Sequence, residues 1–210
     1  MHVAIVLYDG FDDLDAVGPF EVFSHAKTFG ADLDVGLYTL EPQDVVTSSH
    51  GLRVQSDGVL PGIDGEESGD GSATVPDLVV VPGGGWGDRA EAGAWGEAER
   101  GDLPDALAGL YADGAAMASV CTGGMILARA GITDGRPAIT HHGAIEDLRD
   151  SGAEVVDARV VDDGDLVTAG GVTSGIDLAL YLVEREFGES VAERVATEME
   201  YEPRGEVHQG

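Results

Sequence analysis

The sequence predicts an α/β fold in which a mostly parallel central sheet lies between two layers of helices. Three observations support this prediction: apolar strand-like runs, helix-like stretches that alternate with them, and glycine-rich turns that follow the runs. Residues 3–7, 78–81 and 115–120 are almost entirely apolar or small, which is typical of parallel strands covered on both faces. Because strands and helices alternate, we expect the strands to pair in parallel through crossover connections.

The first half of the chain alternates predicted strands with two predicted helices. Residues 14–23 contain the first predicted helix, with Pro19 in its first turn because proline has no N–H to leave unpaired. Residues 102–112 form the second helix. Between about 62 and 76 the chain is acidic and rich in Gly and Ser, which predicts a solvated loop or insertion. The predicted strands of this half are residues 3–7, 33–40, 45–47, 52–55 and 78–81.

The second half continues the alternation and completes a single predicted domain of residues 1–210. A strand over 115–120 leads into a helix around 125–128, which Gly131 ends. An apolar helix over 176–187 stops at Gly188, and an amphipathic helix follows it. The remaining predicted elements are a short strand at 138–140, a helix at 144–151, one or two strands within 155–161, a strand at 166–169 and the last helix at 190–199.

The charge of the chain restricts its partners and its setting. The chain has 40 acidic and 11 basic residues, a net charge of −29, and Lys27 is its only lysine. Such a surface repels nucleic acid and anionic membranes, so neither is expected as a partner. The single cysteine excludes an internal disulfide, and no signal peptide or membrane span is indicated, so a cytoplasmic protein is expected. Acidic excess with almost no lysine predicts a halophilic source, where salt screens the self-repulsion.

Cys121 lies on the expected turn between the strand at 115–120 and the next helix. Gly123 and Gly124 follow it and permit a tight strand-to-helix turn. At a helix N-terminus the sulfur faces unpaired N–H groups and the positive end of the helix dipole, which favour the thiolate. This pattern matches the nucleophile elbow of serine hydrolases, with the N–H of Thr122 directed at developing negative charge. The alternative is a small buried core thiol.

Ligands of parallel α/β sheets bind at the carboxyl ends of the strands. Asp15, a run of three glycines, Cys121 and a glycine pair each follow a predicted strand, so we expect them to converge on one site. The alternatives are an ordinary tight turn for the glycines, and a helix cap or one more solvated acid for Asp15. The candidate oxyanion or substrate-binding residues are Gly83, Gly84, Gly85, Thr122, Gly170 and Gly171.

Five segments carry a family resemblance: LDAVGPFEVF at 14–23, VPGG at 81–84, VCTG at 120–123, ITH at 139–141 and DGDLVTAGGVTSGID at 163–177. Together they resemble the ThiJ/PfpI superfamily, the relatives of class I glutamine amidotransferases, over nearly the whole chain and in the same order. The resemblance implies a flavodoxin-like three-layer sandwich with a nucleophile elbow.

Within that superfamily the chain looks like isocyanide hydratase and the amidotransferase-like domains of AraC-type regulators. Asp15 stands where deglycases carry glutamate, Thr122 stands where PfpI-type proteases carry histidine, and residues 182–203 also resemble the hydratase. The resemblance implies that Cys121 attacks the terminal carbon of an isocyanide, that Asp15 delivers a proton, and that water converts the thioimidate to an N-formamide. Two alternatives stay open: a glyoxalase or deglycase acting on methylglyoxal adducts, and a non-catalytic effector-binding or redox-sensing domain.

Other residues are candidates by position alone. The Thr122 hydroxyl either bonds the sulfur or a substrate atom, or bonds its own backbone. His141 sits where the superfamily often brings a histidine toward the cysteine, although a purely structural histidine is an equal alternative. Trp86 either walls the pocket or only packs. The histidines lack metal-ligand spacing, so we expect neither a metal nor a cofactor. The resemblance implies a small-molecule substrate and a homodimer in which residues 13–23 lie near the partner subunit.

The halophile prediction is tested by thermal unfolding measured against KCl concentration. We expect the unfolding midpoint to rise strongly between dilute buffer and molar KCl, because screening removes repulsion among the 40 acidic residues. Full stability in dilute buffer would contradict it.

Overall fold

The computed structural model describes residues 1–62 and 75–210, and most of its strands form one central sheet. The strands are β1 (His2–Leu7), β2 (Asp34–Thr39), β3 (Val45–Thr47), β4 (Arg53–Gln55), β5 (Gly58–Val59), β6 (Leu78–Val81), β7 (Ala116–Ser119), β8 (Pro137–Ala138), β9 (Glu154–Val155), β10 (Val160–Asp162), β11 (Leu166–Ala169) and β12 (Val207–Gln209). The central sheet has the order β12-β10-β11-β7-β6-β1-β2-β5. Its pairs are parallel except β10 with β11. The predicted mostly parallel sheet is therefore confirmed.

Helices flank this sheet in two groups. The helices are α1 (Asp13–Thr28), α2 (Ala94–Arg100), α3 (Asp102–Ala112), α4 (Gly123–Arg129), α5 (Ile145–Asp150), α6 (Ser174–Phe187) and α7 (Glu189–Glu198), with a short 3-10 helix at His142–Ala144. Helices α1, α6 and α7 pack against one another, and α2 to α5 form the second group. The sheet with its flanking helices is the α/β arrangement expected from the alternating pattern.

The main core lies around the strands at the centre of the sheet. All four residues of β6 are buried, and β1 is buried from Val3 to Leu7. Such continuous burial explains why these strands are apolar on both faces. In the parts of the chain that the structure describes, no helix is long and apolar enough to cross a membrane.

Helix α1 begins earlier than the sequence indicates. Asp12 is its N-cap, with Oδ1 accepting the N–H of Leu14 at 3.3 Å. Pro19 consequently lies inside the helix, and its predicted place in the first turn is wrong. A proline there has no N–H for the carbonyl of Asp15, four residues earlier, so the helix lacks one backbone hydrogen bond at that point.

Three described elements have no counterpart among the predictions. Helix α2 forms within a segment rich in Gly and Trp, and β5 and β12 are short strands at the two edges of the central sheet. Conversely, the predicted strand at 138–140 is only the short β8, which pairs with β9 outside the central sheet. The predicted acidic loop of about 62–76 falls mainly on residues 63–74, which lie outside the described residues.

Two glycines let the turns after β6 and β7 approach each other closely. A Cβ on Gly123 would lie 2.0 Å from the carbonyl oxygen of Val81. A Cβ on Gly83 would lie 2.4 Å from the backbone nitrogen of Thr122. Any side chain at either position would therefore force two adjacent strand ends apart.

Asp177, in the first turn of α6, fastens the C-terminal segment to the body of the fold. Its Oδ2 accepts the Nε–H of Arg159 at 2.5 Å and the hydroxyl of Tyr201 at 2.9 Å. Its Oδ1 accepts the backbone N–H of Arg204 at 2.7 Å. These bonds lead the chain toward β12, which pairs with β10.

The contact at Gly123 predicts an unequal response to two alanine substitutions. Gly123→Ala should destabilise the fold by about 1–3 kcal/mol, because the new methyl group overlaps backbone that has no room to move. Gly109→Ala is the matched control: Gly109 is exposed within α3 and its Cβ would meet nothing within 4 Å. That control should gain about 0.5–1 kcal/mol from helix propensity. Urea unfolding in molar KCl measures both, and equal stabilities would contradict the prediction.

Candidate active site

Cys121 occupies a tight turn between β7 and α4. Its backbone φ is 55°, a left-handed conformation that residues other than glycine seldom adopt. Its N–H is shared between the carbonyls of Ala169 (3.2 Å) and Gly170 (2.8 Å), at the end of β11. Its own carbonyl accepts the hydroxyl of Thr140 at 2.8 Å. The backbone on both sides of the sulfur is therefore fixed by neighbouring strand ends.

Asp15 is fully buried on the first turns of α1. Its Oδ2 accepts the N–H of Gly83 at 3.0 Å. Its Oδ1 is buried and has no N–H or O–H partner in the described part of the chain. Cys121 lies close enough to Asp15 for each group to affect the pKa of the other. The structure thus brings the predicted acid and the predicted nucleophile together.

The net effect of these surroundings is to raise the pKa of Asp15 well above its ordinary value. Burial is the largest cause, and the nearby carboxylate of Asp12 adds to it. The N–H of Gly83 and the thiol of Cys121 act in the opposite direction but do not outweigh burial. This carboxyl is therefore suited to hold a proton in conditions where exposed aspartates have lost theirs.

The predicted preference of Cys121 for the thiolate is wrong for the site as it stands. Burial, followed by the charge of Asp15, raises the thiol pKa to about 12. The backbone N–H groups of Val172 and Thr122 lower the pKa by hydrogen bonding to the sulfur, but they only reduce the rise. Helix α4 begins after Thr122 and is short, so its dipole does not overcome the loss of water around the sulfur.

Two of the predicted oxyanion donors are already engaged within the protein. The N–H of Gly83 is bonded to Asp15, and the N–H of Gly84 donates to the hydroxyl of Thr122 at 2.9 Å. Their predicted role as oxyanion donors is therefore not supported by this geometry: they orient the acid and the residue after the nucleophile. The Thr122 hydroxyl oxygen therefore accepts a hydrogen bond from Gly84, and neither the sulfur nor the backbone of Thr122 is its partner in that bond. Gly85 has a left-handed φ of 67° and accepts the N–H of Ala90 through its carbonyl.

The backbone groups that favour the ionised sulfur are the N–H groups of Thr122 and Val172, which lower the pKa of Cys121. Thr122 was expected from its place after the nucleophile, whereas Val172 was not identified from the sequence. Val172 lies in the short connection between β11 and α6, directly after the predicted glycine pair of Gly170 and Gly171. The carbonyl of Gly170 accepts the N–H of Cys121 at 2.8 Å.

His141 packs beside this turn. A Cβ on Gly171 would lie 3.0 Å from Cδ2 of the His141 ring. Nδ1 accepts the N–H of Gly143 at 3.2 Å, which leaves the proton of the neutral ring on Nε2. Burial, and then the neighbouring His142, lower the pKa of His141. A neutral imidazole is therefore the form that this environment favours.

Two neighbouring side chains fix the orientation of the Trp86 ring. Its Nε1–H donates to the carboxylate of Asp147 at 2.7 Å, and its ring meets Trp95 edge to face at 4.9 Å between centroids. It packs between the main core and a smaller cluster that includes Met125 of α4. These contacts give Trp86 a packing role beside α4. Within residues 1–62 and 75–210 no group of three or more His, Cys, Asp or Glu side chains is arranged to hold a metal ion.

Known proteins share this architecture. The sequence pattern of the DJ-1/PfpI family matches residues 1–185. An isonitrile hydratase of Pseudomonas putida is 33% identical over 204 residues, which cover 97% of this chain and 79% of that protein. A deglycase of Pyrococcus abyssi is 27% identical over 187 residues, which cover 89% of this chain and 97% of that protein. The crystal structure of a ThiJ/PfpI family protein from Pseudomonas syringae superimposes with a TM-score of 0.81 at 26% identity, covering 97% of this chain and 76% of that one.

The coupling between the two groups predicts the reactivity of Cys121 in Asp15→Asn. At a pH at which Asp15 is ionised in the wild type, alkylation of Cys121 by iodoacetamide should be about tenfold faster in the variant, because no carboxylate then opposes the thiolate. Rates are read from intact mass against time. Asp88→Asn, at an exposed aspartate, is the control and should react like the wild type. An unchanged or slower rate in Asp15→Asn would exclude the coupling.

Proposed function

Because the chain belongs to the DJ-1/PfpI family, we propose that it is a cysteine-dependent enzyme that adds water to an isocyanide and releases an N-formamide. The observation that carries the proposal is a fully buried Asp15, with its pKa raised well above the ordinary value by burial, placed close enough to Cys121 for each group to affect the pKa of the other. The similarity to an isonitrile hydratase along 97% of the chain supports the choice of substrate class.

The burial of the sulfur also favours a slender substrate. Cys121 is only 6% exposed, so a bulky adduct has little access to the thiol. An isocyanide presents a linear –N≡C group whose terminal carbon is the reacting atom, and such a group can enter end-on. We therefore place the terminal carbon of the substrate at the sulfur and its substituent farther from the buried site.

The first step uses the form of the pair that carries one proton, on Asp15, with Cys121 as thiolate. Sulfur attacks the terminal carbon and forms the S–C bond, while the carboxyl proton passes to the same carbon. The products are a thioimidate, R–N=CH–S–Cys121, and an ionised Asp15. The N–H groups of Thr122 and Val172 stabilise the thiolate before attack.

The second step consumes water and restores the pair. The Asp15 carboxylate takes a proton from water as the hydroxyl adds to the thioimidate carbon, and that proton passes to the nitrogen. The resulting R–NH–CH(OH)–S–Cys121 collapses to R–NH–CHO: its hydroxyl proton returns to Asp15 and sulfur leaves as thiolate. The sum is addition of one water to the isocyanide.

Formation of the N-formamide from an aryl isocyanide in molar KCl tests the proposal. Cys121→Ala should have no measurable turnover, because no thioimidate can form. Asp15→Asn should lose about 10²- to 10⁴-fold in kcat, the usual contribution of a positioned acid. Product is followed by liquid chromatography, with Asp88→Asn as the control.

Parallel assays separate the alternatives. Turnover that survives in Cys121→Ala would exclude the mechanism. Release of lactate from methylglyoxal without any formamide would favour the glyoxalase or deglycase alternative. The similarity of this chain to the deglycase of Pyrococcus abyssi is the reason to include that assay.

A further inference from the structure

Tyr8 is a buried polar residue that the proposed reaction does not use. It follows β1 and is 6% exposed. Its hydroxyl donates to the carbonyl oxygen of Pro82 at 2.5 Å. Pro82 follows β6, the strand next to β1, so this bond joins the ends of two neighbouring central strands. Pro82 directly precedes Gly83, the residue with the N–H that donates to Asp15.

The carbonyl of Pro82 and the N–H of Gly83 belong to one peptide group. Tyr8 donates to the oxygen of this group, and its nitrogen donates to Oδ2 of Asp15 at 3.0 Å. Peptide resonance links the two ends, because electron density drawn toward a hydrogen-bonded carbonyl oxygen leaves the N–H more positive. Hydrogen bonds connected in this way strengthen one another.

We propose that Tyr8 is a positioning residue for Asp15 and acts through the Pro82–Gly83 peptide. The hydroxyl fixes the plane of that peptide and strengthens the N–H that holds Oδ2, so that Oδ1 is the oxygen left to exchange a proton with the sulfur or the substrate. The assignment of Asp15 as the acid rests on the proposed function. The chain of hydrogen bonds from Tyr8 to Asp15 stands on the geometry alone.

The charged groups around Tyr8 keep its hydroxyl a donor. Burial raises the pKa of Tyr8 well above its ordinary value, and Asp15, Glu97, Cys121 and Asp12 raise it further, in that order. These groups come from α1 and its N-cap, from α2 and from the turn after β7. Tyr8 therefore stays neutral while Asp15 and Cys121 exchange their proton, and it takes no proton itself.

Infrared difference spectroscopy of Tyr8→Phe tests the inference without any substrate. The carboxylic-acid C=O band of Asp15 is isolated by subtracting the spectrum of Asp15→Asn, which removes the contribution of Glu97, another carboxyl whose pKa burial raises. In Tyr8→Phe the pH midpoint of this band should rise by about half a unit, because a weaker Gly83 N–H stabilises the carboxylate less. Where formamide formation is observed, kcat should fall several-fold with KM unchanged, and the alkaline limb of its pH profile should move by the same amount.

Tyr38→Phe is the matched control. Its hydroxyl is also partly buried at a strand next to β1, but it meets Nε2 of His2 at 3.1 Å. The control should leave the midpoint unchanged.

A Tyr8→Phe protein that loses stability without a change in the midpoint would overturn the inference and make Tyr8 a structural residue only. A midpoint shift in a protein that hydrates no isocyanide would support the positioning role of Tyr8 and reject the proposed function. The absence of any band that Asp15→Asn removes would overturn both.

Discussion

The close approach of two turns is the constraint on which the site depends. The turns after β6 and β7 meet backbone to backbone, with room for nothing larger than glycine at Gly83 and Gly123. Because no side chains separate the strand ends, backbone N–H groups reach Asp15 and Thr122 directly. Both Asp15 and Cys121 are buried beside these turns. Burial therefore dominates the pKa values of the two groups.

Burial has a larger effect on the pKa values of Asp15 and Cys121 than the helix dipole and the N–H hydrogen bonds that the sequence pattern indicates. A short helix supplies only a partial charge, and single N–H groups supply one hydrogen bond each. Both the acid and the thiol lose their water, so both pKa values rise. In the proposed reaction only one of these two buried groups ionises for the attack, and the other carries the proton that the product requires. Burial, which raises the pKa of the thiol, thus also raises the pKa of the proposed acid.

The sequence predicts strands and strand ends well and predicts peptide orientation poorly. The apolar runs that became β1, β6 and β11 are buried on both faces, and this burial is why their composition was informative. The meeting of Asp15 with Cys121 followed from parallel topology, which brings strand ends to one edge. The direction of the N–H groups of Gly83 and Gly84 depends on individual peptide planes, which no residue pattern encodes. Helix α2 was missed because its Gly- and Trp-containing segment lacks a helical apolar period.

The left-handed backbone at Cys121 has a consequence for the history of the chain. Such a conformation costs about 1–2 kcal/mol in any residue with a Cβ. Mutational drift without selection for a reactive sulfur would relieve this cost most easily through Cys121→Gly. A chain that keeps cysteine at this position accepts the free-energy cost of the left-handed backbone and keeps the thiol in a defined orientation. Stabilisation of this scaffold by substitution should therefore leave Cys121 unchanged, because a glycine there would relieve the backbone cost and remove the proposed nucleophile.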